Sequence, residues 1–170
     1  DLRGVLPGWL ESIPGPSLFI NTVGGLGAPW WQSGPAPYFV EPDVDAATAL
    51  VAVIESIVFL LQANIERLCS HNPAIRRIRI SGGLSNLDGL CMKLADLSGL
   101  TVHRPVQVEA TARGVAWQAA GCPSDWPPSG AGETFAPGKN ESLHTRYQRF
   151  NAILTEALNA TRGADSSPEH

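Results

Sequence analysis

The chain has 170 residues, a formal net charge of −4, and 44% hydrophobic and 16% charged residues. This composition is typical of a globular domain with a sizeable core rather than of a disordered chain. The acidic balance disfavours non-specific nucleic-acid binding, which needs a basic face, so no nucleic-acid partner is predicted.

The first third of the chain predicts short elements around a glycine-rich loop. Residues 6–13 form a plausible helical segment that ends at Pro14. Residues 17–22 and 38–40 are predicted to be short strands. Between them, residues 24–31 read Gly-Gly-Leu-Gly-Ala-Pro-Trp-Trp, which matches neither a GxGxxG motif nor a P-loop. The roles of its two tryptophans stay open between core packing and a position in a cleft.

A long helix is predicted next, capped by Asp43 or Asp45 and extending to about Ser70. Apolar residues recur through it at helical spacing, which predicts one buried face. Three polar residues of this helix fall near one face, which we expect to be wet or to line a cleft: Glu55, Gln62 and Glu66.

An alternation of strands and helices follows. Residues 75–80 and 101–104 are predicted strands, and residues 110–120 a short alanine-rich helix. The Ser-Asn-Leu-Asp sequence at 85–88 fits a capping box for an intervening helix that ends at Gly99.

The last part of the chain predicts a loop and a final helix. Residues 122–138 are rich in Pro, Gly and Ser, which predicts a loop. Asn140 can cap a helix that ends near Asn159, and the tail 161–170 is expected to be disordered. The element order predicts one α/β domain over residues 1–160.

Cysteines and apolar runs bear on the compartment of the protein. Cys69, Cys91 and Cys122 are odd in number and widely spaced, which favours reduced thiols over a disulfide framework or a zinc knuckle. The uninterrupted apolar runs at 49–54 and 57–61 are too short to span a bilayer. We therefore expect a cytoplasmic protein with no membrane partner.

The Ser-Gly-Gly sequence at 81–83 is the main candidate site. Glycine lacks a Cβ, so the backbone at Gly82 and Gly83 can approach a ligand closely. A helix that begins just after them offers free N–H groups and a positive dipole end. A tight strand-to-helix turn that needs two glycines for packing is the alternative interpretation.

Four segments resemble, in order and at similar intervals, the C-terminal lobe of the FGGY carbohydrate kinases. They are Gly-Leu-Gly-Ala-Pro-Trp-Trp at 25–31, Arg-Ile-Ser-Gly-Gly at 79–83 with Leu-Ala-Asp-Leu-Ser-Gly at 94–99, Val-His-Arg-Pro at 102–105, and Glu-Ala-Thr-Ala-Arg-Gly-Val-Ala at 109–116. The resemblance covers about residues 17–121. It implies an α/β lobe of the actin/hexokinase/Hsp70 (ribonuclease H-like) type, with a mixed sheet flanked by helices.

The same resemblance implies a nucleotide site. ATP would lie with its adenosine side against Gly82 and Gly83, with Ser85 or Asn86 as polar contacts. Leu87 stands at about the position where glycerol kinases carry an asparagine that contacts the nucleotide. The segment 109–116 resembles the family's inter-lobe helix.

The family's chemistry also needs an N-terminal lobe with an Asp-Gly-Thr phosphate loop and an aspartate general base, and this sequence contains no such motif. We therefore expect this lobe to be inactive alone, with Mg²⁺ held mainly by the other lobe and the ATP phosphates. The expected partners are ATP, a sugar or polyol, the N-terminal lobe, and a second copy of the chain if an apolar face is exposed.

Two other functions are weighed. A non-catalytic binding or regulatory module with an actin-like half-fold is the main alternative. A Rossmann-type dinucleotide enzyme ranks last, because the third glycine and the downstream acidic residue of that fingerprint are absent from the sequence.

Overall fold

The structure is a computed structural model that describes residues 2–13, 15–128 and 130–165. Its helices and strands are, in chain order, α1 (Leu2–Ser12), β1 (Phe19–Ile20), β2 (Tyr38–Phe39), α2 (Ala46–His71), β3 (Arg77–Arg79), a 3₁₀ turn (Gly83–Asn86), α3 (Asp88–Ser98), β4 (Thr101–Pro105), α4 (Ala110–Ala119), β5 (Gly132–Phe135) and α5 (Glu141–Asp165). Two compact units are present, the first unit (Asp1–Pro73 and Asn140–His170) and the second unit (Ala74–Lys139).

The long helix α2 begins at the cap that the sequence predicts. Of the two candidate aspartates, Asp45 is the N-cap, and its carboxylate accepts hydrogen bonds from the N–H groups of Ala47 at 3.0 Å and Thr48 at 3.1 Å. These bonds satisfy donors that the first turn of a helix leaves free. The helix ends at His71, just before Asn72 and Pro73, where proline disfavours helical backbone in the preceding residue.

The core of the first unit is made largely by α2 and α5. The Phe59 ring of α2 lies 5.6 Å from the Tyr147 ring and 5.2 Å from the Phe150 ring of α5, in tilted geometry. The apolar face predicted for the last helix is confirmed, since the following residues are all buried: Leu143, Tyr147, Phe150, Leu154 and Leu158. Asn140 caps this helix as predicted, by accepting the N–H of Leu143 at 3.2 Å.

The polar residues of α2 do not form the wet face that the sequence predicts. Glu55 and Gln62 are buried, and the carboxylate of Glu55 accepts two hydrogen bonds from Arg146, at 2.8 and 2.7 Å. Glu66 is exposed, and accepts the Tyr147 hydroxyl at 2.9 Å and the Gln62 amide at 3.1 Å. The expectation was wrong for Glu55 because Arg146 of α5, distant in sequence, supplies its partner. It was wrong for Gln62 because that side chain is buried and its amide bonds Glu66 on the same helix.

By length and composition, α2 as a whole could cross a membrane, with a mean hydropathy of 2.0 over an 18-residue window. The apolar runs at 49–54 and 57–61 are shorter because Glu55 and Ser56 separate them. Within the unit, however, 44% of that window is buried. Its buried face carries the Glu55 carboxylate against Arg146. These contacts make α2 the central helix of the first unit.

The second unit is built on a three-stranded mixed sheet in the order β3-β4-β5. Strands β3 and β4 are parallel, with Ile78 opposite Val102, and β4 and β5 are antiparallel, with Val102 opposite Phe135. The loop predicted over 122–138 therefore contains a strand. Proline, glycine and serine around it concealed the strand, which forms only because β4 provides a partner.

One detail of this unit and one of α5 differ from expectation. The capping box predicted at 85–88 is wrong, because α3 begins at Asp88 without a side-chain cap and the 3₁₀ turn Gly83–Asn86 precedes it. Gly99 ends α3 in a left-handed conformation at φ 68°, as predicted. Helix α5 continues past Asn159 to Asp165, and the rest of the predicted tail lies outside the described residues.

Candidate functional site

The turn after β3 leaves its backbone open. Gly82 has φ 98° and ψ 170°, a conformation that L side chains rarely adopt and that explains the glycine. Its N–H donates to the carbonyl of Val108 at 2.9 Å, which ties the turn to the segment after β4. A Cβ built on either Gly82 or Gly83 would meet no other atom within 4 Å. A ligand can therefore approach both residues closely.

Ser85 holds the turn from inside. It is buried, and its hydroxyl donates to the carbonyl of Gly82 at 2.6 Å while its N–H donates to the same oxygen at 3.0 Å. Asn86 is exposed and Leu87 half-buried. The five residues predicted from sequence are thus neighbours in one turn, with Gly82, Gly83 and Asn86 accessible and Ser85 turned inward.

Arg104, near the end of β4, is a residue of this region whose role is not apparent from the sequence. Its Nη1 donates to the carbonyl of Ser85 at 2.6 Å and lies 2.8 Å from a carboxylate oxygen of Asp88. Its Nη2 pairs with Glu133 of β5, and its guanidinium lies 5.2 Å from the centre of the Phe135 ring. The Arg-Pro end of the strand was visible in sequence, but its partners come from three other elements.

An open cleft of about 410 Å³ adjoins the turn. The side chains of Pro105, Val106 and Val108 give it an apolar wall, and Asn86 and Arg104 give it polar groups. An apolar wall with a few convergent polar groups is the usual lining of a small-molecule site.

Cys91 closes the turn on the side of α3. Its thiol donates to the carbonyl of Ser85 at 3.3 Å, so that oxygen accepts bonds from both Cys91 and Arg104. Burial raises the pKa of the Cys91 thiol above its ordinary value, which favours the neutral thiol that donates this bond. Cys69, Cys91 and Cys122 are all free thiols in the structure.

Residues 10–121 match the C-terminal domain of the FGGY family of carbohydrate kinases. The chain belongs to this family. The matched segment includes the Gly82–Gly83 turn, Arg104 and α4, so the predicted family resemblance is confirmed over the whole candidate site.

Curated relatives of this FGGY domain include glycerol kinases. The chain is 33% identical to glycerol kinase from Synechocystis sp. over 108 residues, which cover 62% of this chain and 22% of the relative. It is 34% identical to glycerol kinase from Cereibacter sphaeroides over 149 residues, which cover 79% of this chain and 30% of the relative. The chain thus spans less than a third of the length of these two relatives.

Solved structures support the fold. A glycerol kinase from Plasmodium falciparum, solved with ADP, superposes with a TM-score of 0.70 at 17% identity, over 92% of this chain and 35% of that one. A xylulose kinase from Rhodospirillum rubrum gives 0.69 at 18% identity, over 91% and 34%. With the mixed sheet of the second unit, these neighbours confirm the predicted actin/hexokinase-like α/β fold.

A second cleft of the FGGY domain, of about 380 Å³, lies along α4. Its lining includes Arg79, Arg113, Trp117 and Trp126. Arg113 stacks over the Trp126 ring at 5.6 Å and donates to the carbonyl of Pro127, which partly engages its charge. Every residue of α4 itself is at least partly exposed.

The glycine-rich loop of the FGGY domain is fixed mainly by its backbone. Leu26 is buried and exchanges two backbone hydrogen bonds with Gln32, at 2.9 and 3.1 Å. Trp30 is half-buried, whereas Trp31 is 79% exposed. Of the two interpretations left open by the sequence, core packing therefore does not apply to Trp31.

The described part of the FGGY domain offers no group of three or more His, Cys, Asp or Glu residues that could hold a metal ion. Two carboxylates of this region, Asp88 and Glu133, are both engaged with Arg104.

Proposed function

We propose that this chain is the C-terminal, nucleotide-binding lobe of an ATP-dependent kinase that transfers the γ-phosphate of ATP to a hydroxyl of a sugar or polyol. The observation that carries the proposal is the family match over residues 10–121, which contains an open glycine turn at the end of a parallel strand. Ligands of open α/β sheets bind at the carboxyl ends of the strands, where this turn lies.

Five residues would hold the adenosine side of ATP: Gly82, Gly83, Ser85, Asn86 and Leu87. The two glycines give close backbone approach, and the exposed Asn86 amide can hydrogen-bond the ligand. Leu87 offers only an apolar contact. Ser85 contributes by holding the shape of the turn, since its hydroxyl is committed to Gly82. The ADP of the Plasmodium falciparum glycerol kinase structure makes a nucleotide the natural first ligand to test.

Phosphoryl transfer depends on positioning, charge neutralisation and a group that accepts the proton of the attacking hydroxyl. We assign the acceptor site and the general base to an N-terminal lobe beyond these 170 residues. Mg²⁺, when bound, neutralises phosphate charge; that lobe and the phosphates would hold it, because the described residues provide no metal cluster. On this division the chain alone binds nucleotide without turnover.

The partner lobe would contact α4, which resembles the family's inter-lobe helix. Val115 and Trp117 of α4 are exposed, so this helix has apolar surface available for a partner. The alternative occupant of this surface is a second copy of the chain, which would give a homo-oligomer. A cytoplasmic location follows from the proposed activity, since its ATP supply is intracellular.

The site is tested by titrating the ¹⁵N-labelled 170-residue chain with ATP and recording amide shifts. We expect the amides of residues 82–87 to move and those of the first unit to stay in place. Shifts confined to residues far from Gly82 would exclude this turn as the nucleotide site.

The reaction is tested with the chain and with the full reading frame that encodes it. ADP release from ATP, Mg²⁺ and glycerol or xylulose should be absent for the 170-residue chain and present for the longer protein. Turnover by the chain alone would contradict the division between lobes. Nucleotide binding without turnover by the longer protein on any sugar or polyol would favour the non-catalytic actin-like module.

A further inference from the structure

Arg104 connects the candidate turn to the rest of the second unit. Its Nη1 donates to the carbonyl of Ser85 at 2.6 Å, within the range of a charge-assisted hydrogen bond. That contact joins residues 19 apart in sequence, whereas the other hydrogen bond to this carbonyl comes from the nearby Cys91. The bond from the Gly82 N–H to Val108 also ties the turn to the segment after β4, but it joins two backbone groups. Arg104 is therefore the side chain that anchors the turn to β4.

The guanidinium is itself held on several sides. Asp88 at the start of α3 lies 2.8 Å from Nη1, and Glu133 of β5 pairs with Nη2. The Phe135 ring covers it at 5.2 Å, and only 12% of the Arg104 side chain is exposed. A planar donor fork fixed in this way can impose a direction on the oxygen it binds.

Fixing the carbonyl of Ser85 also fixes the next amide. The peptide unit is planar and trans, so the carbonyl of Ser85 and the N–H of Asn86 point in opposite directions. The oxygen that turns toward Arg104 thus sets the orientation of the Asn86 N–H and the position from which the Asn86 side chain leaves the backbone. Helix α3 has no side-chain cap of its own that could do this.

We infer that Arg104 is a positioning residue for nucleotide binding, which holds the turn Gly82–Leu87 in its binding conformation through the carbonyl of Ser85. The nucleotide part of this inference rests on the proposed function. The positioning part concerns the turn alone and can be measured without any ligand.

The experiment compares Arg104→Gln and Arg104→Lys with the unchanged 170-residue chain. Arg77→Gln is the matched control, since Arg77 is an exposed arginine of the same sheet. Hydrogen exchange is recorded at the N–H groups of Ser85 and Leu87, which are hydrogen-bonded within the turn. ATP affinity is measured on the same samples.

For Arg104→Gln we expect at least tenfold faster exchange at Ser85 and Leu87 and about tenfold weaker ATP binding, since a hydrogen bond to a charged group is lost. Arg104→Lys should keep part of the exchange protection and part of the ATP affinity, because a lysine ammonium can bond one acceptor but lacks the planar guanidinium. Arg77→Gln should leave exchange and affinity unchanged.

If Arg104→Gln does not fold, Glu133→Gln replaces it, since this change loosens the guanidinium but keeps its bond to Ser85. We then expect an approximately threefold loss of ATP affinity and faster exchange in the turn. A folded Arg104 or Glu133 variant with unchanged exchange at Ser85 and Leu87 would overturn the positioning role.

The two claims fail separately. If the unchanged chain does not bind ATP, the proposed function fails, and the exchange data still decide whether Arg104 positions the turn. If ATP binds and Arg104→Gln binds it equally well, the inference is overturned while the proposed function stands.

Discussion

In the first unit, Arg146 of α5 reaches Glu55, a carboxylate that is 1% exposed, whereas in the second unit Arg104 reaches Asp88 and Glu133, which are 57% and 64% exposed. The two arginine side chains are equally exposed, at 12%, so the difference lies in their carboxylate partners, which are buried in the first unit and open to water in the second. Removing either member of the buried pair should therefore destabilise the first unit strongly, since a buried charge without its partner is costly. The partly solvated cluster around Arg104 should stabilise the fold less than the buried pair does. Its main effect is to orient the carbonyl of Ser85.

The largest expected effect breaks the buried pair. Arg146→Met leaves the Glu55 carboxylate without its bidentate partner in the core, and we expect the free energy of unfolding to fall by about 3–5 kcal/mol. Urea-induced unfolding of the full chain measures this loss. Arg149→Met, which removes the exposed pair with Glu41, is the control and should cost about 1 kcal/mol or less.

A double variant sharpens the same comparison. Arg146→Met combined with Glu55→Leu removes both charges, so most of the lost stability should return. A double variant as unstable as Arg146→Met alone would show that packing around the arginine stem, rather than its charge, stabilises this site.

The next effect lies in the turn of the second unit. Gly82→Ala forces a residue with a Cβ into φ 98°, and we expect a loss of about 1–2 kcal/mol in the free energy of unfolding. No atom lies within 4 Å of the added methyl group, so the cost is conformational. Gly83→Ala is the matched control, because Gly83 is equally open without a positive φ. Equal losses in the two variants would contradict this reason for the glycine.

The smallest effect is a pH dependence of the first unit. The Ser17 hydroxyl, then Arg149 and the N–H of Leu18, hold the pKa of Glu41 below its ordinary value. A lowered carboxylate pKa gives stability that is present above the unfolded-state pKa and is lost as the pH falls through the folded-state pKa.

Glu41→Gln should therefore reduce the fall in Tm between pH 6 and strongly acidic pH, by an amount equivalent to about 1 kcal/mol or less because the pair is exposed. Thermal melts across this pH series measure the difference. High salt should weaken the contribution of Arg149 in the unchanged chain. If Tm falls equally at acidic pH in Glu41→Gln and in the unchanged chain, other carboxylates account for the pH dependence of stability.

Local patterns predicted the parts of the structure that local contacts determine. Helical spacing of apolar residues identified α2 and the buried face of α5, and Asp45 and Asn140 cap these helices through bonds to residues two or three positions away. The glycine turn was found in the same way, because the conformation of Gly82 and its open surroundings follow from the residue type.

The remaining features depend on partners far along the chain. Glu55 looked solvent-facing because its partner Arg146 is 91 residues away. Strand β5 looked like a loop because only pairing with β4 makes it a strand.

The capping box failed for a local reason, since the Ser85 hydroxyl donates backward to the carbonyl of Gly82 instead of accepting an N–H of α3. Arg104 was missed because its contacts with Ser85 and Glu133 require the folded sheet.

The first unit is discontinuous, since its two segments, Asp1–Pro73 and Asn140–His170, flank the second unit in the chain. During synthesis the ribosome therefore releases all of the second unit before α5, which carries Arg146 and Phe150. Until α5 emerges, Glu55 and Phe59 of the nascent α2 do not yet contact Arg146 and Phe150. Vectorial folding thus favours completion of the Gly82–Leu87 turn first, and a stall in translation between residues 139 and 165 would leave an apolar helix available to chaperones.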